Sequence, residues 1–198
     1  MWEDRYASHD DYLFGRAPTH VLTDNPWLVG SAETALCVAD GEGRNSVHLA
    51  QHDLAVTTFD MSATAIERAG ELATASTVAI NSHVSTWDEW DWTRTFDLTV
   101  AIFVQYTGPD QRPAQFADLR KATAPGGRLV LHGFTPKQIE YGTGGPPVAE
   151  NMYTTDMLAD AFSDWNILRL AAYEREQTSG TAHVGNAALI DLVAERPI

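Results

Sequence analysis

Two glycines and a following acidic residue have the spacing of a nucleoside-binding site. Gly41 and Gly43 lie in the polar bend Asp40-Gly41-Glu42-Gly43, and Asp60 follows Gly41 by 19 positions. Glycines at a bend let a ligand approach the backbone closely, and a carboxylate about 20 residues further on can accept hydrogen bonds from a ribose diol. The pattern therefore predicts a cofactor that contains a nucleoside.

The same bend favours one class of nucleoside cofactor by its charge. A dinucleotide fingerprint has a third glycine on the first helical turn, where this chain has Ser46, and the Glu42 carboxylate would repel a pyrophosphate. S-Adenosylmethionine has a sulfonium and an ammonium group but no phosphate, so acids at Asp40 and Glu42 suit it. An NAD(P)-dependent oxidoreductase and a non-catalytic S-adenosylmethionine-binding protein are the alternatives.

A strand, a helix and a second strand are predicted to position these residues. An apolar strand over 35–39 precedes the bend, a helix covers about 44–51, and a second apolar strand over 55–59 ends at Asp60. In a parallel sheet the ligand crevice lies beyond the carboxyl ends of the strands. The bend and Asp60 are therefore expected at the same edge of the sheet.

The rest of the chain continues to alternate helices and strands, which is typical of an α/β protein. Ser62 is a candidate cap for a helix with Arg68 on its solvent side. The further predictions are strands at 78–80, 97–103, 128–132, 166–175 and 183–195, and helices at 113–124 and 155–162.

The order of the motifs resembles that of class I S-adenosylmethionine-dependent methyltransferases. The segments concerned are ADGEGRNSVHLA, TTFDMSATAIERA, FDLTVAIFVQY and LRKATAPGGRLVLHGF. The resemblance is strongest to the small bacterial subgroup of tellurite-resistance-type and thiopurine-type enzymes, and FTPKQ and YGTGGPP strengthen it. It implies a Rossmann-like, doubly wound α/β fold whose seven-stranded sheet is mostly parallel with an antiparallel edge strand.

The resemblance also implies contacts with S-adenosylmethionine. Gly41 and Gly43 would admit its methionine and ribose portions, Asp60 would bind the ribose hydroxyls, and Met61 would pack on adenine. The family usually has an acid at the position of Cys37, so either Asp40 substitutes for it or that contact is lost. The complete predicted set is Ala39, Asp40, Gly41, Gly43, Arg44, Asn45, Asp60, Met61, Thr86, Trp87, Ile102, Phe103 and Gln105.

Several of these residues follow from their place in an element. Arg44 and Asn45 begin the first crossover helix and could bind the cofactor carboxylate, aided by the helix dipole. Thr86 and Trp87 best match the positions that touch adenine. Gln105 follows a central strand, where it either borders the transferable methyl group or caps the next loop.

Two segments are predicted to cover the ligands. Residues 1–30 are rich in aromatic side chains, with Tyr6 a candidate for a lid that excludes water near a sulfonium; packing against the sheet is the alternative. Residues 135–153 combine glycines and prolines around Tyr141, which excludes regular structure and favours a mobile substrate-side loop over a rigid surface loop.

Methyl transfer by in-line displacement requires little acid–base chemistry. The leaving thioether is neutral and needs no proton, so holding the acceptor against the methyl in a dry site is enough for much of the catalysis. Tyr6 and Gln105 are the candidate catalytic residues, and no catalytic triad is expected.

Composition restricts the partners. The chain has 198 residues, 44% of them hydrophobic, which is consistent with a single domain over 1–198. A formal net charge of −14 with 13 basic residues argues against nucleic acid and anionic membranes and favours a small-molecule acceptor. The chain is expected to be a monomer or homodimer.

The cysteine and histidine content favours neither disulfides nor a metal. Cys37 is the only cysteine, and the N-terminus has no signal-peptide core, so a cytoplasmic location is expected. His48 and His52 are four apart on a predicted helix but lack an evident third ligand, so no metal site is predicted.

Overall fold

The computed structural model describes residues 2–181 and 183–198, which divide into two compact units. The first unit takes in the described part of 1–91 and 179–182, and the second takes in that of 92–178 and 183–198. The organisation as one domain remains a prediction.

The first unit contains three parallel strands and their helices. β2 pairs in parallel with both β1 and β3. The strands are β1 (Thr34–Val38), β2 (Ala55–Asp60) and β3 (Asn81–Val84), and the helices are α1 (Trp2–Ala7), α2 (His20–Thr23), a 3-10 helix (Pro26–Leu28), α3 (Arg44–Ala50) and α4 (Ala63–Ala75).

The second unit combines a parallel pair of strands with an antiparallel pair. β4 and β5 are parallel, whereas β5 and β7 are antiparallel. The strands are β4 (Phe96–Ile102), β5 (Thr123–Phe134), β6 (Asn166–Ser179) and β7 (His183–Glu195), and the helices are α5 (Arg112–Ala122), α6 (Gln138–Tyr141), a 3-10 helix (Ala149–Asn151) and α7 (Thr155–Ala161).

The strand order confirms the predicted fold class. The seven strands follow the order β3-β2-β1-β4-β5-β7-β6 in one sheet. Most of β1, β2 and β4 is buried, as expected of parallel strands with near-continuous apolar sequences. None of the described helices combines the length and apolar composition that crossing a bilayer requires.

The helix predicted after Asp60 begins where its cap indicated. Ser62 Oγ accepts a hydrogen bond of 3.0 Å from the Ala65 amide, so Ser62 is the cap of α4. The strand predicted at 78–80 is wrong. Val78 and Ile80 pack against a helical cluster that includes Leu72, and the strand follows at Asn81–Val84.

Segment 135–153 contains more regular structure than its glycines and prolines indicated. It includes α6 and the 3-10 helix, so the prediction that regular structure is excluded there is wrong. Gln138 holds the segment, since its Oε1 accepts from the Ala188 amide at 2.8 Å and its Nε2 donates to the Gly144 carbonyl at 3.1 Å. Loop closure over a substrate remains a prediction.

Candidate functional site

The bend between β1 and α3 has a left-handed backbone at several residues. Gly41 and Gly43 have φ angles of +62° and +84°, and Ala39 has +47°. A Cβ built on Gly43 would lie 2.6 Å from the Ala69 Cβ, so glycine is needed there for the close approach of α4. The bend is thus a tight turn packed between β1 and α4.

The Asp60 carboxylate is fixed beside this bend. Its Oδ2 accepts a hydrogen bond of 2.9 Å from the Gly41 amide, and its Oδ1 accepts one of 3.0 Å from the Ser62 amide. Asp60 is buried, and burial raises the pKa of its carboxyl against the effect of these hydrogen bonds. The structure therefore brings together the predicted residues Gly41 and Asp60.

Glu42 has a different role from the one that the sequence indicated. Its carboxylate forms a 2.8 Å ion pair with Arg68 and accepts a hydrogen bond of 2.8 Å from the Leu13 amide. Arg68 is not on the solvent side of α4 as predicted, because its guanidinium is largely buried and also donates to the Tyr6 carbonyl. The Glu42 charge is thus offset within the protein, and Asp40 and Asp60 carry the negative charge of the bend.

Asp40 is anchored at the start of α3. Its Oδ2 accepts from the Ser46 amide at 3.2 Å, and its own amide donates to the Phe59 carbonyl at 3.2 Å. Burial raises the pKa of the Asp40 carboxyl to about 6, partly offset by hydrogen bonds from Ser46. A positively charged ligand at the bend would lower this pKa and be favoured by the ionised carboxylate.

Tyr6 covers the bend. A Cβ built on Gly41 would lie 2.5 Å from Tyr6 Oη, and the Tyr6 ring is buried next to Trp2 and Phe14 at centroid distances of 5.9 and 6.3 Å. Burial, and then the charge of Asp60, raises the pKa of the Tyr6 phenol. Tyr6 therefore stays a neutral phenol that can donate a hydrogen bond but not remove a proton.

The helix-start residues Arg44 and Asn45 hold the N-terminal segment in this structure. Arg44 Nη1 donates to the Phe14 carbonyl at 2.9 Å, and Asn45 Oδ1 accepts from the Thr19 amide at 3.0 Å. Both side chains are buried. Their predicted contact with a cofactor carboxylate would have to replace these bonds.

The predicted adenine residues lie at the end of the first unit's sheet. Met61 is 41% exposed beside Asp60, and Trp87 meets Phe59 edge to face at a centroid distance of 6.4 Å. Thr86 Oγ1 donates to Glu89 at 2.9 Å. Trp90 and Trp92, further along this segment, are buried.

Gln105 in the second unit joins two strand ends. Its Oε1 accepts from the Phe134 amide at 2.6 Å, and its Nε2 donates to the Phe134 carbonyl at 2.8 Å. Both groups of the amide are therefore used at the end of β5, and Gln105 does not cap the loop after it. Ile102 is buried, and Phe103, with a φ angle of +59°, packs against Phe134 at 4.7 Å.

The part of the chain that the structure describes contains no group of three or more histidine, cysteine, aspartate or glutamate residues that could hold a metal. His48 on α3 and His52, two residues beyond its end, meet edge to face at a centroid distance of 4.5 Å. What the bend offers instead is a fixed carboxylate, backbone amides and a neutral phenol, which together can bind a hydroxylated or cationic ligand.

A family model described as a methyltransferase domain matches residues 35–127. The matched range contains the bend, Asp60 and β4. No protein of curated function matches the chain by sequence.

Solved structures with low sequence identity share the fold. NodS, an N-methyltransferase from Bradyrhizobium japonicum WM9 in complex with S-adenosyl-L-homocysteine, is 17% identical with a TM-score of 0.73, and the match covers 100% of this chain and 97% of that chain. TehB from Haemophilus influenzae is 16% identical with a TM-score of 0.70, over 98% of this chain and 66% of that one.

A third structure concerns the conversion of a disulfide bond into a thioacetal group during echinomycin biosynthesis. It is 18% identical with a TM-score of 0.81, and the match covers 99% of this chain and 90% of that chain. At such identities the likeness shows the fold.

Proposed function

We propose that the chain, which has the class I methyltransferase fold and matches a methyltransferase-domain model over residues 35–127, transfers a methyl group from S-adenosyl-L-methionine to a small-molecule acceptor by direct displacement. The matched range and the fold support the resemblance that the motifs indicated. The similarity to TehB supports the tellurite-resistance-type subgroup.

One contact carries the proposal: the Asp60 carboxylate held against the Gly41 amide. An ionised carboxylate has about four acceptor positions on its two oxygens. The Gly41 and Ser62 amides occupy one on each oxygen, so both oxygens keep capacity for a ribose hydroxyl. Asp60 can therefore bind a diol without losing the bonds that orient it.

Charge at the bend supports a cationic cofactor. Because Arg68 offsets the charge of Glu42, the selection depends on the half-buried Asp40 and the buried Asp60, and desolvation raises the pKa of both carboxyls. An ammonium or sulfonium group nearby would stabilise the ionised forms of both carboxyls. A pyrophosphate would instead make their ionisation still less favourable. This favours methyl transfer over the NAD(P)-dependent alternative.

The remaining predicted contacts form part of the proposal. We expect Tyr6 to move off Gly41 when the cofactor binds and then to help exclude water, as a neutral donor. The other residues to which we assign cofactor contacts are Ala39, Asp40, Gly43, Arg44, Asn45, Met61, Thr86, Trp87, Ile102, Phe103 and Gln105. Of these, Gln105 is proposed to position the part of the site around the transferable methyl group, through its hydrogen bonds to the Phe134 backbone.

Composition supports the remaining parts of the proposal. The net charge of −14 favours a small acceptor over nucleic acid or an anionic membrane, and the single cysteine is consistent with a cytoplasmic location. A monomer or homodimer is proposed.

Binding and turnover together test this function. Calorimetry on the wild-type protein is expected to show binding of S-adenosyl-L-homocysteine and none of NADH, and a screen of thiols, metalloid oxyanions and small phenols or carboxylates is expected to find an acceptor of labelled methyl. Binding of NADH alone would favour an oxidoreductase. Binding of S-adenosyl-L-homocysteine without transfer to any acceptor would favour a non-catalytic binding protein.

A further inference from the structure

Arg112, the first residue of α5, is a buried cation with incomplete hydrogen bonding. It is 6% exposed. Its Nη2 donates to the Glu150 carbonyl and its Nη1 contacts Met157 Sδ at 3.2 Å, while its Nε has no hydrogen-bond partner among the residues that the structure describes. Within those residues no carboxylate forms an ion pair with it.

Such an arrangement is costly unless an anion completes it. Taking a guanidinium out of water without a counter-charge has a large free-energy penalty. Elsewhere in the chain Arg68, Arg120 and Arg169 each form an ion pair with an aspartate or glutamate. Arg112 differs from them because its acceptors are a carbonyl and a thioether.

Tyr153 provides a second unsatisfied donor next to Arg112. The guanidinium carbon lies 5.9 Å from the Tyr153 ring centroid. Tyr153 is 1% exposed, and its hydroxyl has no hydrogen-bond partner in the described parts of the chain. Burial raises the pKa of this phenol, so the hydroxyl remains protonated and available to donate.

Arg112 and Tyr153 both lie near the carboxyl ends of the parallel strands β4 and β5. α5 follows β4, and its first turns are tied to the segment just after β4 because Gln115 Nε2 donates to the Val104 carbonyl at 3.0 Å. The Tyr153 amide donates to the carbonyl of Phe134, the last residue of β5, at 3.0 Å. The carboxyl ends of parallel strands are where α/β folds bind ligands.

We propose that Arg112 and Tyr153 bind a carboxylate of the methyl acceptor, so that the acceptor is a small carboxylic acid. The carboxylate replaces the Glu150 carbonyl, which belongs to an exposed 3-10 turn, and accepts hydrogen bonds from the Arg112 guanidinium and the Tyr153 hydroxyl. The amino end of α5 adds to the positive potential. With a net charge of −14, the protein favours a monoanion over a dianion such as phosphate.

The assignment of this ligand as the methyl acceptor rests on the proposed function, whereas the anion site itself does not. The probe is therefore benzoate, with benzamide as its neutral counterpart, titrated by NMR into the full chain. Benzoate is expected to bind and benzamide to bind at least about tenfold more weakly, as expected when a charged hydrogen-bonding partner is lost.

Three variants locate the site. Arg112→Gln is expected to weaken benzoate binding about tenfold or more, and Tyr153→Phe by a few-fold without lowering the melting temperature of the free protein. Arg120→Gln, at the other end of α5 and paired with Asp164, is the matched control and should leave benzoate binding unchanged. Equal binding of benzamide, or unchanged benzoate binding in both site variants, would overturn the proposal.

S-Adenosyl-L-homocysteine separates this inference from the proposed function. If the wild type binds S-adenosyl-L-homocysteine but shows no preference for benzoate, only the carboxylate site is wrong. If benzoate binds in the expected way but S-adenosyl-L-homocysteine does not, the methyltransferase function is contradicted and the anion site stands. Arg112→Gln should retain the wild-type affinity for S-adenosyl-L-homocysteine.

Discussion

The Gly41 amide donates a 2.9 Å hydrogen bond to the Asp60 carboxylate and so ties the bend after β1 to the last residue of β2. The Ser62 amide fixes the second carboxylate oxygen. Two backbone donors therefore orient one buried acid before any ligand arrives. Such preorganisation lowers the free-energy cost of binding a nucleoside, because the site needs little ordering or rearrangement.

Gly43 tests the packing of the bend. Gly43→Ala is expected to destabilise the protein by about 2–4 kcal/mol, because the new Cβ would lie 2.6 Å from the Ala69 Cβ at a φ angle of +84°. Gly70→Ala in α4 is the control, since nothing lies within 4 Å of its added Cβ, and should stabilise by about 0.4–1 kcal/mol. Equal urea midpoints for the two variants would contradict this account.

The ion pair between Glu42 and Arg68 is expected to stabilise the N-terminal segment. Arg68→Met leaves Glu42 buried without its counter-charge and should lower the free energy of unfolding by about 3–5 kcal/mol. In contrast, Arg16→Ala breaks an exposed pair with Asp11 and should cost less than about 1 kcal/mol. Chemical denaturation of both variants measures the difference, and losses of similar size would show that the buried pair has no special role.

Asp40 should make stability depend on pH. Its folded-state pKa of about 6 lies above the value near 3.9 of an unfolded aspartate, so the folded state binds this proton more tightly. The stability that Asp40 protonation contributes is present at low pH and is lost as pH rises towards about 6, with a slope of at most about 1.4 kcal/mol per pH unit. The difference in unfolding free energy between wild type and Asp40→Asn should follow this curve, and a difference independent of pH would contradict it.

Gln105 is expected to act through Phe134. Gln105→Leu leaves the buried Phe134 amide and carbonyl without these partners and should destabilise the protein by about 2–4 kcal/mol. The exposed Gln111→Leu serves as control and should change stability by less than about 0.5 kcal/mol. If Gln105→Leu were as stable as the control, the side chain would not hold the end of β5.

The sequence was sufficient for the features that local chemistry determines. The bend at Gly41 and Gly43 follows from backbone geometry, the cap at Ser62 from side-chain hydrogen bonding, and the central strands from continuous apolar runs. Each of these signals lies within a few residues of the structure that it predicts.

The errors concern contacts between residues far apart in sequence. Val78 and Ile80 have strand-like composition, but they pack against the helical cluster that includes Leu72, and the strand begins only at Asn81. The Glu42–Arg68 pair joins a bend to a helix, so no pattern of residue spacing within one element indicates it. Arg112 gave no signal either, because a single arginine at a helix start is unremarkable until its burial is known.

The affinity of the Asp60→Ala variant for S-adenosyl-L-homocysteine tests the account most directly. Calorimetry at pH 7.5 should show binding at least about tenfold weaker than to the wild type, because the ribose hydroxyls lose their acceptor. Asp156→Ala, which removes an exposed carboxylate in α7, should bind like the wild type. An Asp60→Ala protein that is folded and binds with unchanged affinity would contradict the assignment of this carboxylate to the ribose and, with it, the cofactor site at the bend.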